Sequence, residues 1–122
     1  MGDRYVVRYM KYRGSYPGKD FLDACTDPVR VRFVALAQRM AVAGRLPTDA
    51  HGHQLKPPYA DLFEFKPGNV RVFAFFHGKD LYVTSGAPKR KGKAQANDYE
   101  AALNLRADFY EQIDTPHAEK LR

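Results

Sequence analysis

The sequence predicts a small α+β domain in which helices pack on one face of a mostly antiparallel sheet. Three observations lead to this fold class: short segments with the two-residue period of strands, longer segments with helical period, and tight-turn sequences between the last strands. A chain of 122 residues supports one hydrophobic core and is too short for two ordinary domains. We therefore expect one domain over residues 1–114 and a frayed tail over residues 115–122.

One strand and one helical region account for the N-terminal third of the chain. Residues 4–12 are rich in β-branched and aromatic side chains, which favour a strand. A short helical piece over residues 19–25 then precedes a longer helix. Asp27 is the expected N-cap of that helix, Pro28 its first residue, and Gly44 its end.

Three further strands follow a polar connection over residues 45–58. They are residues 62–66, 70–77 and 81–85, separated by the turn sequences Pro-Gly-Asn and Gly-Lys-Asp. Because parallel neighbours need a long crossover, such closely spaced strands form an antiparallel meander. Asn97 and Glu100 then match a capping box that begins a C-terminal helix. The predicted order is β-α-β-β-β-α, with one face of the sheet left open for function.

Composition and charge limit the functional classes. Lys and Arg together number 20 against 14 for Asp and Glu, a formal net charge of +6, which favours an anionic partner. Cys25 is the single cysteine of the chain, so no intramolecular disulfide can form and a reducing compartment is expected. The sequence has neither a signal-peptide core nor a run near the roughly 20 apolar residues of a membrane span. We expect a cytoplasmic protein without a membrane partner.

The strand over residues 70–77 separates its two faces by alternation. Val70, Val72, Ala74 and Phe76 lie on one face, and Arg71, Phe73, Phe75 and His77 on the other. The second face combines aromatic and basic side chains, as a surface that stacks bases and holds phosphates does. The alternative is that Phe73 and Phe75 belong to the core and that Arg71 is a solvated strand end.

A basic segment follows the last predicted strand. Lys89, Arg90, Lys91 and Lys93 occur within five positions that contain no acid. The segment precedes a helix N-terminus, where free N–H groups and the helix dipole attract anions. Phosphate binding is therefore one interpretation, and a solvated charged surface is the other.

The sequence offers little evidence for a metal site or a catalytic nucleophile. His51 and His53 lack a third ligand nearby, and no GxSxG, HExxH, paired CxxC or P-loop motif is present. His77 is a candidate general acid or base or, alternatively, an exposed turn histidine. We expect neither a metal nor a cofactor.

The order and spacing of several motifs resemble the RelE/HigB superfamily of type II toxins, especially its HigB-like, phage-associated branch. Residues 62–66 (Leu-Phe-Glu-Phe-Lys) are similar to the family's Leu-x-Glu-Leu-Arg strand, and Arg71 falls on the arginine of the next strand. Residues 87–95 fall on the basic motif without gaps, and Asp98, Tyr99 and Ala102 on the following helix. Ala87, Lys91 and Gln95 depart from the usual Phe, small polar residue and Pro.

The resemblance implies a RelE/ParE-like fold and an endoribonuclease that cuts mRNA, typically in the ribosomal A site. It assigns catalysis to Arg71, Lys89, Arg90 and Lys93. Residues then expected to contact RNA are Lys66, Phe73, Phe75, His77, Tyr82, Lys91 and Tyr99. The 2′-hydroxyl is an internal nucleophile, so no metal is needed.

The implied partners are mRNA, the ribosome and a cognate antitoxin, expected to be a helix-turn-helix protein. The protein would be a monomer or part of a toxin–antitoxin hetero-oligomer. Two other functions stay open: a non-catalytic relative that binds nucleic acid or protein, and a ParE-like inhibitor of a DNA topoisomerase.

Overall fold

The computed structural model describes residues 3–114, and the expected frayed tail over residues 115–122 lies outside them. The described part has the predicted α+β architecture. Its elements in chain order are β1 (Val6–Tyr9), α1 (Pro17–Asp23), α2 (Asp27–Ala43), β2 (Gly52–Gln54), β3 (Phe63–Phe65), β4 (Val70–His77), β5 (Asp80–Pro88) and α3 (Gly92–Asp114).

The five strands form one mostly antiparallel sheet in the order β1-β5-β4-β3-β2. The predicted meander of β3, β4 and β5 is confirmed, because both turns join hydrogen-bonded antiparallel neighbours. β1 lies at the edge, parallel to β5. β2 was not expected: it is a short polar strand that pairs with β3, and Gly52 faces Phe65 in the register. A Cβ at Gly52 would lie 2.6 Å from the carbonyl oxygen of Glu64, so this close pairing needs glycine.

Helices cover both faces of the sheet, which corrects the expectation of one open face. The first hydrophobic cluster joins α1 and α2 to one face, through Leu22, Phe33, Met40, Val72 and Ala74 among others. The second cluster lies on the other face and includes Phe73 with Tyr99 and Ala102 of α3. Alternation along β4 distinguishes the two faces correctly, but it does not show that α3 packs on the aromatic one.

All three helices start at other residues than predicted, and α1 begins at Pro17 instead of residue 19. Thr26, not Asp27, is the N-cap of α2, while a proline at the start of the helix and Gly44 after its end agree with expectation. α3 begins at Gly92, five residues before Asn97. Residues 93–96 are Lys-Ala-Gln-Ala, which favour helix strongly enough to extend it backwards. Lys93 therefore lies in the first turn of α3. Within residues 3–114 no helix has the length and hydrophobicity needed to cross a membrane.

Candidate functional site

Arg71 and the basic segment meet at one end of the sheet. In the register of β4 and β5, Arg71 faces Ala87. Just beyond, the backbone N–H of Lys89 donates to the carbonyl oxygen of Asn69 at 2.9 Å. The segment thus leaves the sheet beside the turn that precedes Arg71. Lys89, Arg90 and Lys91 are exposed in this connection, and Lys93 is exposed in α3, so the sheet gathers the predicted catalytic cations at one end.

The guanidinium of Arg71 is held by three groups. Nη1 donates to the carbonyl oxygens of Gly68 at 3.0 Å and Val70 at 2.8 Å. Nε lies 3.6 Å from Oε1 of Glu64. The side chain is 13% exposed, and no residue within 3–114 forms a hydrogen bond with Nη2. Arg71 is therefore fixed in place at this end of the sheet.

Glu64 is the site residue that our sequence-based candidates missed. It lies on β3 opposite Phe73 and is buried, with 3% of its surface exposed. Its Oε2 is also buried and has no hydrogen-bond partner within the described residues. Burying a carboxylate is costly unless a cation compensates it, and Arg71 is that cation. The signal in the sequence was a single acid in the apolar run Leu-Phe-Glu-Phe.

Tyr99 of α3 completes a buried polar cluster with Glu64 and Arg71. Its ring is 9% exposed and lies 4.8 Å from the ring centre of Tyr59 and 5.5 Å from that of Phe73. Burial, together with the negative charge of the Glu64 carboxylate, raises the pKa of Tyr99 to about 12. Tyr99 is therefore protonated at neutral pH. Its buried ring cannot stack on a base, so that part of the sequence-based prediction is wrong.

Phe73 and Phe75 are core residues, and the prediction that they stack on RNA bases is wrong. Phe73 is 2% and Phe75 0% exposed. The ring of Phe75 packs against Tyr82, at 5.6 Å, and Phe109 of α3, at 5.1 Å. The alternative interpretation of these two phenylalanines, as part of the core, is confirmed.

His77 and Tyr82 lie toward the opposite end of β4 and β5 from the basic segment. Six residues of strand, about 20 Å, separate His77 from Arg71. His77 is exposed, and its Nδ1 lies 3.3 Å from the hydroxyl of Tyr110. Tyr82 packs on Phe109 at 4.5 Å, and burial is the main cause that raises its pKa. Neither side chain joins the cluster around Arg71.

Two of the predicted cations have other surroundings than expected. Lys66 lines a surface cavity together with Arg32 and Arg39 of α2. Arg90 is paired: its Nε donates to Oδ2 of Asp98 at 3.0 Å. The acid lies eight residues along the chain, so an ion pair with α3 partly neutralises a segment that contains no acid of its own.

No metal centre is formed in the part of the chain that the structure describes: it contains no group of three or more His, Cys, Asp or Glu side chains that could hold an ion. Nδ1 of His51 lies 2.9 Å from the hydroxyl of Thr48, and Nδ1 of His53 lies 2.9 Å from the carbonyl oxygen of Gln54. Both histidines take part in local polar contacts.

Solved structures identify the architecture. The archaeal RelE–RelB complex from Pyrococcus horikoshii OT3 contains a chain that matches with a TM-score of 0.53 and 14% identity, over 73% of this chain and 99% of that one. The chain has the RelE fold. The toxin–antitoxin complex RelBE2 from Mycobacterium tuberculosis matches with a TM-score of 0.44 and 16% identity, over 72% of this chain and 94% of that one. No family model and no curated protein matches the sequence.

The RelE fold confirms the resemblance drawn from the motifs at the level of architecture. It places β3, β4 and the basic segment next to one another, as the order of those motifs required. The narrower assignment to the HigB-like branch stays a prediction. The arrangement can hold an anion against a fixed guanidinium, with exposed cations and the first turn of α3 beside it.

Proposed function

We propose that the protein is the toxin of a type II toxin–antitoxin system and an endoribonuclease that cleaves mRNA on the ribosome. One observation supports this above the others: within a RelE fold, a fixed arginine lies beside an exposed cationic segment at one end of the sheet. That combination suits a polyanionic substrate whose phosphate gains charge in the transition state.

In the proposed mechanism the 2′-hydroxyl attacks the adjacent phosphorus and its proton passes to solvent. The bond from phosphorus to the 5′-oxygen then breaks and that oxygen takes up a proton from solvent, giving a 2′,3′-cyclic phosphate and a 5′-hydroxyl. Nη2 of Arg71 stabilises the negative charge of the phosphorane. Lys89, Arg90 and Lys93 bind and polarise the phosphate, and Lys91 holds the backbone. Because the nucleophile belongs to the substrate, the reaction needs no metal.

Glu64 acts in this mechanism as a positioning residue. Its carboxylate lies beside Nε of Arg71, while Nη1 is held by two carbonyl oxygens. These contacts keep the guanidinium in one orientation before the substrate binds, so little reorganisation is needed as charge develops. Tyr99, protonated at neutral pH, packs against the same carboxylate.

The proposed partner is a cognate antitoxin, expected to be a helix-turn-helix protein. The matched P. horikoshii structure is a RelE–RelB complex, and a net charge of +6 favours an acidic partner. The remaining proposed partners are mRNA and the ribosome, in the cytoplasm.

A non-catalytic binding module is the second candidate. It is favoured by the contacts of Arg71, because Nη1 and Nε already interact with other groups of the protein. It is favoured also by the burial of Phe73 and Phe75, which removes the aromatic platform that an open RNA-binding face would offer.

Controlled expression without an antitoxin separates the candidates. We expect growth arrest, with primer extension showing cuts in translated mRNA and none in rRNA. Arrest with intact transcripts would exclude the nuclease, and a DNA-damage response would point to a topoisomerase inhibitor. Absence of arrest at a verified protein level would favour the binding module. Arg71→Lys, which keeps the charge but changes its geometry, should lower cleavage at least tenfold while the circular dichroism spectrum stays unchanged.

A further inference from the structure

A second cationic site lies beside the turn over residues 67–69. It is a surface cavity of about 610 Å³ between α2 and this turn. Its charged lining consists of Arg32, Arg39 and Lys66, with His51 at its side, and none of the lining residues is acidic. We call it the α2 cavity.

The cations of the α2 cavity are free of carboxylate partners within the described residues. Arg30, two positions before Arg32, shows the contrast: it pairs with Asp27 and donates to the backbone carbonyl of Asp23 at 3.2 Å. No ion pair is formed by Arg32, Arg39 or Lys66 in residues 3–114. Like charges gathered around a cavity repel one another, so a bound anion would relieve a cost that the protein otherwise bears.

Gly68 connects the α2 cavity to the site around Arg71. Its carbonyl oxygen accepts the hydrogen bond from Nη1 of Arg71, and the same residue lines the cavity. A Cβ at Gly68 would lie 3.3 Å from Nη1 of Arg32, and its φ of +113° is one that side chains rarely adopt. Glycine therefore allows the Arg32 guanidinium to approach the turn closely.

The basic segment joins the same turn. Lys89 donates its backbone N–H to the carbonyl oxygen of Asn69, the residue next to Gly68. The turn over residues 67–69, which spans at most about 10 Å, thus lies between Lys89 and Arg71 on one side and Arg32 and Lys66 on the other.

We propose that the α2 cavity binds backbone phosphates of single-stranded RNA that extends beyond the nucleotides held at Arg71. The inference rests on the proposed function, because it extends the same RNA-binding surface. Continuity with the phosphate site favours RNA over an acidic peptide, and guanidinium groups bind phosphate oxygens in a bidentate manner. The cavity sets how much RNA is bound and takes no part in the chemistry.

The test measures binding of 2′-O-methyl RNA, which cannot be cleaved by 2′-hydroxyl attack. Fluorescently labelled oligomers of four and twelve nucleotides are titrated with the wild-type protein and with Arg32→Ala/Arg39→Ala at several salt concentrations. We expect the double variant to bind the twelve-mer at least tenfold more weakly and the four-mer equally well. Its slope of log affinity against log salt should fall by about 0.7 for each phosphate that the variant no longer neutralises.

Two controls make the result specific. Lys11→Ala/Lys79→Ala removes two exposed cations that do not line the cavity, and it should bind the twelve-mer within about twofold of the wild type. Arg32→Lys/Arg39→Lys keeps both charges and should recover most of the salt slope. Circular dichroism and thermal unfolding show whether each variant is folded.

Several outcomes would overturn the inference. They are equal losses for both oligomers, equal effects of the two alanine pairs, and absence of RNA binding by the wild type. The same holds if a hexaglutamate peptide loses affinity in Arg32→Ala/Arg39→Ala while the twelve-mer does not, since the cavity would then serve an acidic partner. Length-dependent binding without cleavage of ribosome-bound mRNA would instead refute the proposed function and leave the α2 cavity as an RNA site.

Discussion

Glu64 and Arg71 form an ion pair across neighbouring strands, with Nε of the arginine 3.6 Å from Oε1 of the glutamate. Their side chains are 4% and 13% exposed, so water screens the pair only weakly. Arg71 therefore has a structural role beside its proposed chemical one: without it, the Glu64 carboxylate would remain buried and uncompensated. The pair also explains why a lone acid is tolerated in the apolar strand β3.

We predict that Arg71→Met and Glu64→Leu each lower the free energy of unfolding by about 3 kcal/mol, because each leaves one buried charge unpaired. The double variant should lose much less than the sum of the two, since it buries no charge at all. Urea denaturation of the four proteins measures the coupling. Strictly additive losses would mean that the pair does not interact in the folded protein. A loss of activity on replacing Arg71 therefore indicates a role in cleavage only if a stability measurement shows that the variant is still folded.

Asp98→Asn should strengthen RNA binding by releasing Arg90 from its 3.0 Å ion pair. A freed Arg90 can neutralise one more phosphate, so the salt slope should rise by about 0.7. Asp108→Asn removes the same charge ten residues further along α3 and serves as the matched control. Anisotropy titrations with the twelve-nucleotide RNA compare the two. If both variants bind more tightly by the same factor, the effect reflects net charge alone, and Arg90 does not contact RNA.

Local signals made much of the fold predictable. The bounds of β4 agree with the expected residues 70–77, because alternation and the flanking turn sequences are properties of the segment itself. β2 could not be found in this way: its three residues, Gly-His-Gln, have no strand pattern of their own and form a strand by pairing with the edge of β3. Phe73 and Phe75 are buried because α3 packs over them. The residue pattern within β4 does not show where α3 packs.

The same distinction holds for the candidate site: local sequence signals predicted some of its residues, and the others depend on tertiary contacts. Arg71 and Lys89 could be placed together because Arg71 lies at the start of β4 and Lys89 follows the end of β5, and these two ends lie side by side in an antiparallel pair. Glu64 was not predicted as a site residue, because a single carboxylate in an apolar run shows its role only when its cation is known. The pairing of Arg90 with Asp98 depends on α3 starting at Gly92, and the expected capping box placed that start five residues too late.

Gly86→Ala should lower the free energy of unfolding by about 2 kcal/mol through overpacking. A Cβ at this position in β5 would lie 2.8 Å from Cγ of Phe21 in α1, and nearer still to Cδ2 of the ring. The ring is partly buried and packs α1 against the core on this face of the sheet, so moving it away would loosen that packing. Phe21→Ala removes the ring and lowers the free energy of unfolding by itself. In that background, adding Gly86→Ala should lower it hardly any further. A full additional loss in the double variant, measured by urea denaturation, would contradict the clash.

Tyr99→Phe should change how stability depends on alkaline pH. The pKa of folded Tyr99 is raised from 10.0 to about 12, so between these values the unfolded chain releases a proton that the folded protein keeps. The stabilisation is complete below pH 10 and is lost as pH rises to about 12, at about 1.4 kcal/mol per pH unit.

The variant lacks this contribution, and at pH 7 it also loses a hydroxyl interaction worth about 1 kcal/mol. The stability difference between wild type and Tyr99→Phe should therefore be constant from pH 7 to 9 and shrink from pH 10 to 11.5. Burial of Tyr9 and Tyr82 raises their pKa values as well, but both proteins contain these residues, so their effect cancels in the difference. Urea midpoints at pH 7, 9, 10 and 11 provide the measurement. Parallel curves across that range would show that the Tyr99 hydroxyl is not held protonated beside Glu64, and the buried polar cluster would then need another donor to accompany Arg71.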